Sequence, residues 1–261
     1  MKTVAPSVAD VFARCRALGR PAFIAFLTAG FPSLPLTPDL VRAACEGGAD
    51  LIELGFPYSD PLADGPIIQA SSQRALENGA SFGAVLDMAS RCDAGVPLVA
   101  FTYYNPLYAR GLARSAADLR EAGFAGAIVP DLPPEEAASL ADALKAQDLS
   151  LSFLVAPTTP SKRAAAIAAA STGFVYVTGR MGVTGTHVGV DRSLPGRLNE
   201  LRAMTDKPLA VGFGVSTPED VHAIAKVADG IVVGSALVEA CGGAEPIAAV
   251  RELCRRLTSS L

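Results

Sequence analysis

A closed barrel of eight parallel strands, each feeding a helix and the whole preceded by an extra N-terminal helix, is the fold this sequence predicts. Three observations carry it. Short, nearly continuous apolar runs recur eight times; Ala/Leu-rich amphipathic stretches separate them; and no linker or shift in composition divides the 261 residues. A (β/α)8 barrel of the TIM type takes about 250 residues as one unit, so residues 1–261 read as a single domain.

The extra helix is expected at Val8–Leu18, ahead of the first strand, Phe23–Thr28. Helix Pro38–Glu46 leads to strand Asp50–Gly55, then to helical patterns at Ser71–Asn78 and Ser81–Arg91. Strands Pro97–Thr102 and Gly126–Val129 come next, followed by helix Pro134–Gln147 and strand Leu151–Val155. Helix Lys162–Ala170, with Ser161 as its expected cap, precedes strand Phe174–Val177. Strand Pro208–Val211, helix Pro218–Lys226 and strand Gly230–Val233 complete the series. Thr217 before Pro218, with Asp220 three positions on, has the pattern of a capped helix start. A doubly wound open sheet is the rival, but no Gly-x-Gly-x-x-Gly fingerprint follows the first strand.

Composition excludes several function classes. Half of the residues are apolar and 18% are charged, enough for a sizeable core. A net charge of −4 without a basic stripe argues against nucleic acid. Met1–Phe12 carries a lone Lys2 and no apolar core, so it does not read as a signal peptide. No apolar run approaches the roughly 20 residues that span a bilayer. The five cysteines are scattered and lack CxxC spacing, which points to a reducing, cytoplasmic compartment and to thiols used as small hydrophobes.

The chemistry-bearing residues cluster just after strands, on the rim where barrels of this type hold their active sites. Along Leu51-Ile-Glu-Leu-Gly55 side chains alternate, so Glu53 lies inside an apolar strand. It faces either the barrel interior or the helical shell. Desolvation there would raise its pKa and suit it to acid–base work; a buried glutamate satisfied by neighbouring donors is the alternative. Asp60 and Asp64 follow in a loop stiffened by Pro57, Pro61 and Pro66. Loop acids are commonly solvated turn formers, but the prolines favour a ligand-orienting role. The seventh strand ends in Gly212-Phe-Gly214 and the eighth in Gly234-Ser235, where barrels commonly bind phosphate with backbone amides. Gly179–Thr186, after the sixth strand, offers further amides and the composition of a mobile lid. None of the five lysines sits mid-strand or at a strand's C-terminal end for an imine, and His187 and His222 stand apart without a cysteine cluster, so no metal site is expected.

Glu53–Pro66 resembles the signature loop of tryptophan synthase α subunits. Phe26-Leu-Thr-Ala-Gly-Phe-Pro32, Val129–Pro133, Arg180–Gly185, Gly212-Phe-Gly214 and Gly234-Ser235 resemble that family's other motifs in order, over nearly the whole chain. The resemblance implies a lyase of tryptophan biosynthesis that splits indole-3-glycerol phosphate into indole and glyceraldehyde 3-phosphate. It implies catalytic roles for Glu53, as proton shuttle, and Asp64, as partner of the indole N–H. Phe26, Phe101, Tyr103, Tyr176 and Phe213 would shape the indole pocket. Thr184, Gly185, Gly214, Gly234 and Ser235 would bind substrate, the phosphate lying against the last four of these, and Asp60 and Arg180 would couple the loops. It further implies a β-subunit partner in an α2β2 assembly, with pyridoxal phosphate in that partner only and no cofactor in this chain. A stand-alone lyase of the same fold and a silent barrel that activates a partner are the alternatives. The chain departs from the family pattern at Gly179, where a serine is common, at Pro130, and at Phe101 in place of a leucine.

Overall fold

The computed structural model describes residues 6–178, 194–212 and 214–261. The expected lid, with Arg180, Thr184, Gly185 and His187, and the pocket residue Phe213 lie outside the described residues. The strands are β1 (Ala22–Thr28), β2 (Leu51–Gly55), β3 (Leu98–Phe101), β4 (Phe124–Ile128), β5 (Ser150–Ser152), β6 (Leu154–Val155), β7 (Val175–Thr178), β8 (Leu209–Gly212) and β9 (Gly230–Val233). All pair in parallel, in the order β5-β4-β3-β2-β1-β9-β8-β7-β6.

The two ends of that order are consecutive pieces of one chain segment, so the ring closes through Phe153 and has eight staves. Side chains replace the ladder at the interruption. The Ser152 hydroxyl accepts from the Phe174 amide (3.1 Å) and the Ser171 hydroxyl from the Phe153 amide (3.2 Å), while the Phe153 carbonyl already accepts from Tyr176 (3.0 Å). The expected strand Leu151–Val155 is therefore one stave in two parts.

Two apolar layers follow from the alternation of strand side chains. Phe23, Leu27, Ile52 and Leu54 face outward into the strand–helix core. Ile24, Phe26, Leu51, Val99, Phe101, Ile128 and Tyr176 face inward. The N-terminal helix, Val8–Ala17, belongs to the inner layer through Val8, Val11, Phe12 and Cys15. Phe12 packs on Phe174 at 5.5 Å, and a Cβ on Gly230 would lie 3.0 Å from the Phe12 ring. The helix thus plugs the N-terminal mouth of the barrel. Its start is fixed by a reciprocal capping box between Ser7 and Asp10.

Three helix starts differ from expectation: the α-helix expected from Pro134 begins at Ala138, after a 3-10 turn at Pro134–Glu136. The helix expected at Ser71–Asn78 begins at Pro66, because a proline in the first turn has no amide to leave unpaired. Ser161 does not cap its helix. Pro160 holds that position, and the Ser161 hydroxyl bonds Glu200 instead. Thr217 does cap the next helix, with Asp220 reciprocating. None of the five cysteines is in a disulfide; Cys15, Cys92, Cys241 and Cys254 are buried. No described helix is long and apolar enough to cross a membrane.

Candidate active site

Glu53 points into the barrel, since it alternates with Ile52 and Leu54, which face the helices. It sits mid-strand, in register with Phe26 on β1 and Val99 on β3. Its side chain is fully buried, and neither carboxyl oxygen meets a hydrogen-bond donor among the described residues. Burial alone pushes the carboxyl up to about 8, so at neutral pH it is held mainly in its protonated form. An unsatisfied buried polar group costs about 1–3 kcal/mol, whereas a buried leucine would contribute about 1.5–3 kcal/mol. Folding alone gives no reason for a glutamate here.

Asp64 reaches the same interior from the loop after β2 and is 6% exposed. The loop is tied by its own backbone: Leu62 donates to the Asp60 carbonyl (2.9 Å) and Asp64 to the Pro61 carbonyl (3.0 Å). The Gln69 amide, one turn into the following helix, donates to the Asp64 carbonyl at 2.8 Å. Burial raises the Asp64 carboxyl to about 6, and a hydrogen bond from Tyr103 opposes that rise. Asp64 is therefore mostly charged at pH 7 while Glu53 is mostly neutral. Two carboxyls in one pocket with separated ionisation are the pattern of an assigned acid and an assigned anion.

Aromatic rings wall the space between them. Phe26 and Phe101 meet edge to face, with centroids 5.5 Å apart. A Cβ on Gly55 would lie 2.6 Å from the Phe26 ring, and one on Gly212 would lie 2.1 Å from the Tyr176 hydroxyl. The two glycines leave room for these rings. Tyr176 is buried; burial first, then the carboxyls of Glu53 and Asp64, raises its phenol well above the usual value. Tyr103 stacks on Tyr58 at 5.0 Å beside Asp64. The sequence reading missed Tyr58, and it missed Asp131, which accepts from the Tyr104 amide at 2.9 Å and anchors the start of helix Tyr104–Arg110. The Val129–Pro133 motif contains Asp131, and an acid just past a strand end was the available signal.

Those of the other expected residues that are described fall on the same rim. Gly214 has φ +79°, a conformation that excludes most side chains. Gly234 follows β9 beside Phe26 and Ile68, and Ser235 opens the helix Ser235–Cys241. Asp60 is exposed and accepts from the Ser59 hydroxyl at 2.6 Å. Among the described residues, no group of three or more histidine, cysteine or acidic side chains is placed to hold a metal ion.

The sequence model of the tryptophan synthase alpha chain matches residues 12–258. The chain belongs to the tryptophan synthase alpha chain family. It is 46% identical to the alpha chain of Gloeobacter violaceus over 256 residues, covering 96% of this chain and 93% of that one. It is 44% identical to the alpha chain of Cyanothece sp. over 261 residues, 98% of each. Among solved structures it is similar to tryptophan synthase of Mycobacterium tuberculosis, with a TM-score of 0.91 at 38% identity over 98% of both chains. The expected barrel and the expected family are both borne out.

Proposed function

We propose that Glu53 and Asp64 are the catalytic carboxyls of this lyase, acting within residues 1–261 as one domain. The reaction of the family is the retro-aldol cleavage of indole-3-glycerol phosphate to indole and glyceraldehyde 3-phosphate, a step of tryptophan biosynthesis. The observation that carries the assignment is a fully buried glutamate that meets no hydrogen-bond partner among the described residues, close enough to Tyr176, as Asp64 is, for both carboxyls to act on its phenol.

Neutral Glu53 gives its proton to indole C3, which makes the ring cationic. Charged Asp64 accepts a hydrogen bond from the indole N–H and stabilises that cation. The Glu53 carboxylate left behind takes the proton of the glycerol hydroxyl as the carbon–carbon bond breaks and its electrons return to the ring. No proton is gained or lost overall. Phe26, Phe101, Tyr103, Tyr176 and Phe213 enclose the indole. Gly185, Gly214, Gly234 and Ser235 hold the phosphate through backbone groups, a role supported at Gly214 by a turn that requires glycine. Thr184 also binds substrate, and Asp60 with Arg180 couples the two loops. No cofactor of this chain is called for; a β subunit carrying pyridoxal phosphate receives the indole in an α2β2 assembly, and the chain works in the cytoplasm.

The purified chain incubated with indole-3-glycerol phosphate, with and without a β subunit, should release indole in both cases and faster with the partner. Equal, fast release in both would make it a stand-alone lyase, and no release in either would make it a silent barrel. Asp64→Asn should lose turnover while affinity for an unreactive analogue changes little. Equal loss of both would reduce Asp64 to a binding residue.

A further inference from the structure

We propose that Gln69 is the positioning residue of Asp64: its side-chain amide, on the helix that follows the loop, bonds the Asp64 carbonyl and fixes the backbone that carries the carboxyl into the barrel. The inference rests on the assignment of Asp64 above and deepens it.

The contacts leave the side chain one orientation. It faces two carbonyls, that of Asp64 at 2.8 Å and, more weakly, that of Pro61 at 3.4 Å. A carbonyl only accepts, so the end turned toward the loop is the amide nitrogen with its two protons. The Pro61 carbonyl also accepts from the Asp64 amide at 3.0 Å. Asp64 is therefore held at its N–H and at its C=O, and the two holds meet at Pro61. The Gln69 backbone amide adds a bond to the Gly65 carbonyl at 2.9 Å. One residue of helix Pro66–Glu77 thus fastens two successive carbonyls, those of Asp64 and Gly65. On the other side of the loop the Ala63 amide donates to the Tyr103 oxygen at 3.0 Å, a tie that Gln69 does not touch.

Folding gives little reason for a glutamine here. Gln69 is exposed, and at such helix positions one good helix former replaces another within about 0.5 kcal/mol. The Asp64 carbonyl does have a need. Asp64 precedes Gly65, the N-cap, so its carbonyl lies outside the helical ladder, and Gln69 supplies the donor that the ladder does not. An aspartate has a short side chain, so a shift of its backbone passes almost undiminished to the carboxyl. Displacement of a reacting group by about 1 Å can cost on the order of 10²-fold in rate. The bond from indole N–H to Asp64 strengthens as the ring becomes cationic, so the loss falls on the chemical step and spares substrate binding.

The test is Gln69→Met, which keeps the length and the helix propensity and removes both donors. With indole-3-glycerol phosphate and saturating β subunit, kcat should fall by about ten-fold, while KM and the affinity for an unreactive analogue stay within about two-fold of wild type. Thermal unfolding close to that of wild type will show that the loss is not one of fold. A crystal structure of the variant should show the Asp64 carboxyl displaced and the bond from Ala63 to Tyr103 kept. A kcat within two-fold of wild type, an unmoved Asp64, or equal losses of turnover and analogue affinity would each overturn the proposal. Asp64→Asn is the control. If it kept its turnover, the assignment of Asp64 itself would fail, whereas an inactive Asp64→Asn beside an unaffected Gln69→Met would sink only the positioning role.

Discussion

Asp50 and Glu53 stand three residues apart at the start and middle of the same strand segment, both almost wholly buried, and the protein treats them in opposite ways. Asp50, at the plugged end of the barrel, accepts from Arg20 twice (2.6 and 2.9 Å), from Arg14 (3.1 Å) and from the Phe23 amide (3.0 Å). Burial pushes its carboxyl up, but the bonds from Arg20 and Phe23 and the Arg20 charge outweigh it and leave it below the usual range. Glu53 has burial and, among the described residues, no donor, and rises to about 8. One carboxyl is surrounded by partners and ties helix Val8–Ala17, β1 and β2 together. The other meets none among the described residues, at the proposed active site. The contrast separates a structural rim from the proposed catalytic one in a barrel that otherwise repeats itself.

The strongest way to break the comparison is Glu53→Gln. Turnover should fall by roughly 10²–10⁴-fold, because the amide keeps the shape and loses the exchangeable proton. Stability should move the other way. The folded-state value of Glu53 lies above its ordinary 4.5, so the folded chain keeps a proton that the unfolded chain releases. That penalty is absent below about 4.5, grows as pH rises, and is complete above about 8, where it reaches on the order of 4–5 kcal/mol. Denaturant unfolding at several pH values should show wild type losing stability between pH 5 and 9 relative to Glu53→Gln. A variant that is inactive but equally pH-sensitive would mean that Glu53 is not held neutral by burial.

Asp50→Ala should do the reverse. It leaves Arg20 and the Phe23 amide without their acceptor, at a cost of about 1–3 kcal/mol, discounted because Arg20 keeps some contact with water. Turnover per folded molecule should stay within about two-fold of wild type. The sign with pH is also opposite. A carboxyl held below its ordinary value stabilises above that value, and the contribution disappears as pH falls through the folded one. If Asp50→Ala lost turnover in proportion to Glu53→Gln, the division into two rims would be wrong.

The eight staves were legible because parallel strands covered on both faces must read as apolar runs between glycines and prolines. Leu98–Phe101 and Gly230–Val233 do so within a residue of the expected bounds. The division of the fifth stave was not legible, since it depends on Ser152 and Ser171 reaching amides from separate segments. Ser161 was misread for the same reason: its hydroxyl had a distant choice, Glu200, that outcompeted the local one. At the site, the Glu53–Asp64 loop was visible because both acids lie in one stretch. Which way Glu53 points followed only from which neighbours the sheet gave it. The bond from the Ala63 amide to the Tyr103 oxygen spans two loops, and nothing in either loop's own sequence announces the other. The Asp50 clamp escaped notice for the same reason, as Arg14 and Arg20 belong to an earlier helix and turn.

The two arginines on Asp50 give the finest and smallest test of what holds that rim. Arg20 is bidentate, also donates to the Pro21 carbonyl at 3.0 Å, and has a side chain only 28% exposed. Arg14 makes a single contact, and its side chain is 49% exposed. A half-exposed guanidinium keeps most of its hydration and is screened by salt, so its ion pair should contribute only a few tenths of a kcal/mol. The planar fork of Arg20 has lost most of its water and matches both carboxylate oxygens. Arg14→Ala should therefore lower stability by about 0.5 kcal/mol or less and lose even that in high salt. Arg20→Ala should cost at least twice as much and keep most of its effect as salt rises. Denaturant unfolding of both variants at low and high salt reads the difference. Equal costs would mean that Asp50 is held by the summed positive charge of the rim, and that the geometry of one arginine does not set its low ionisation.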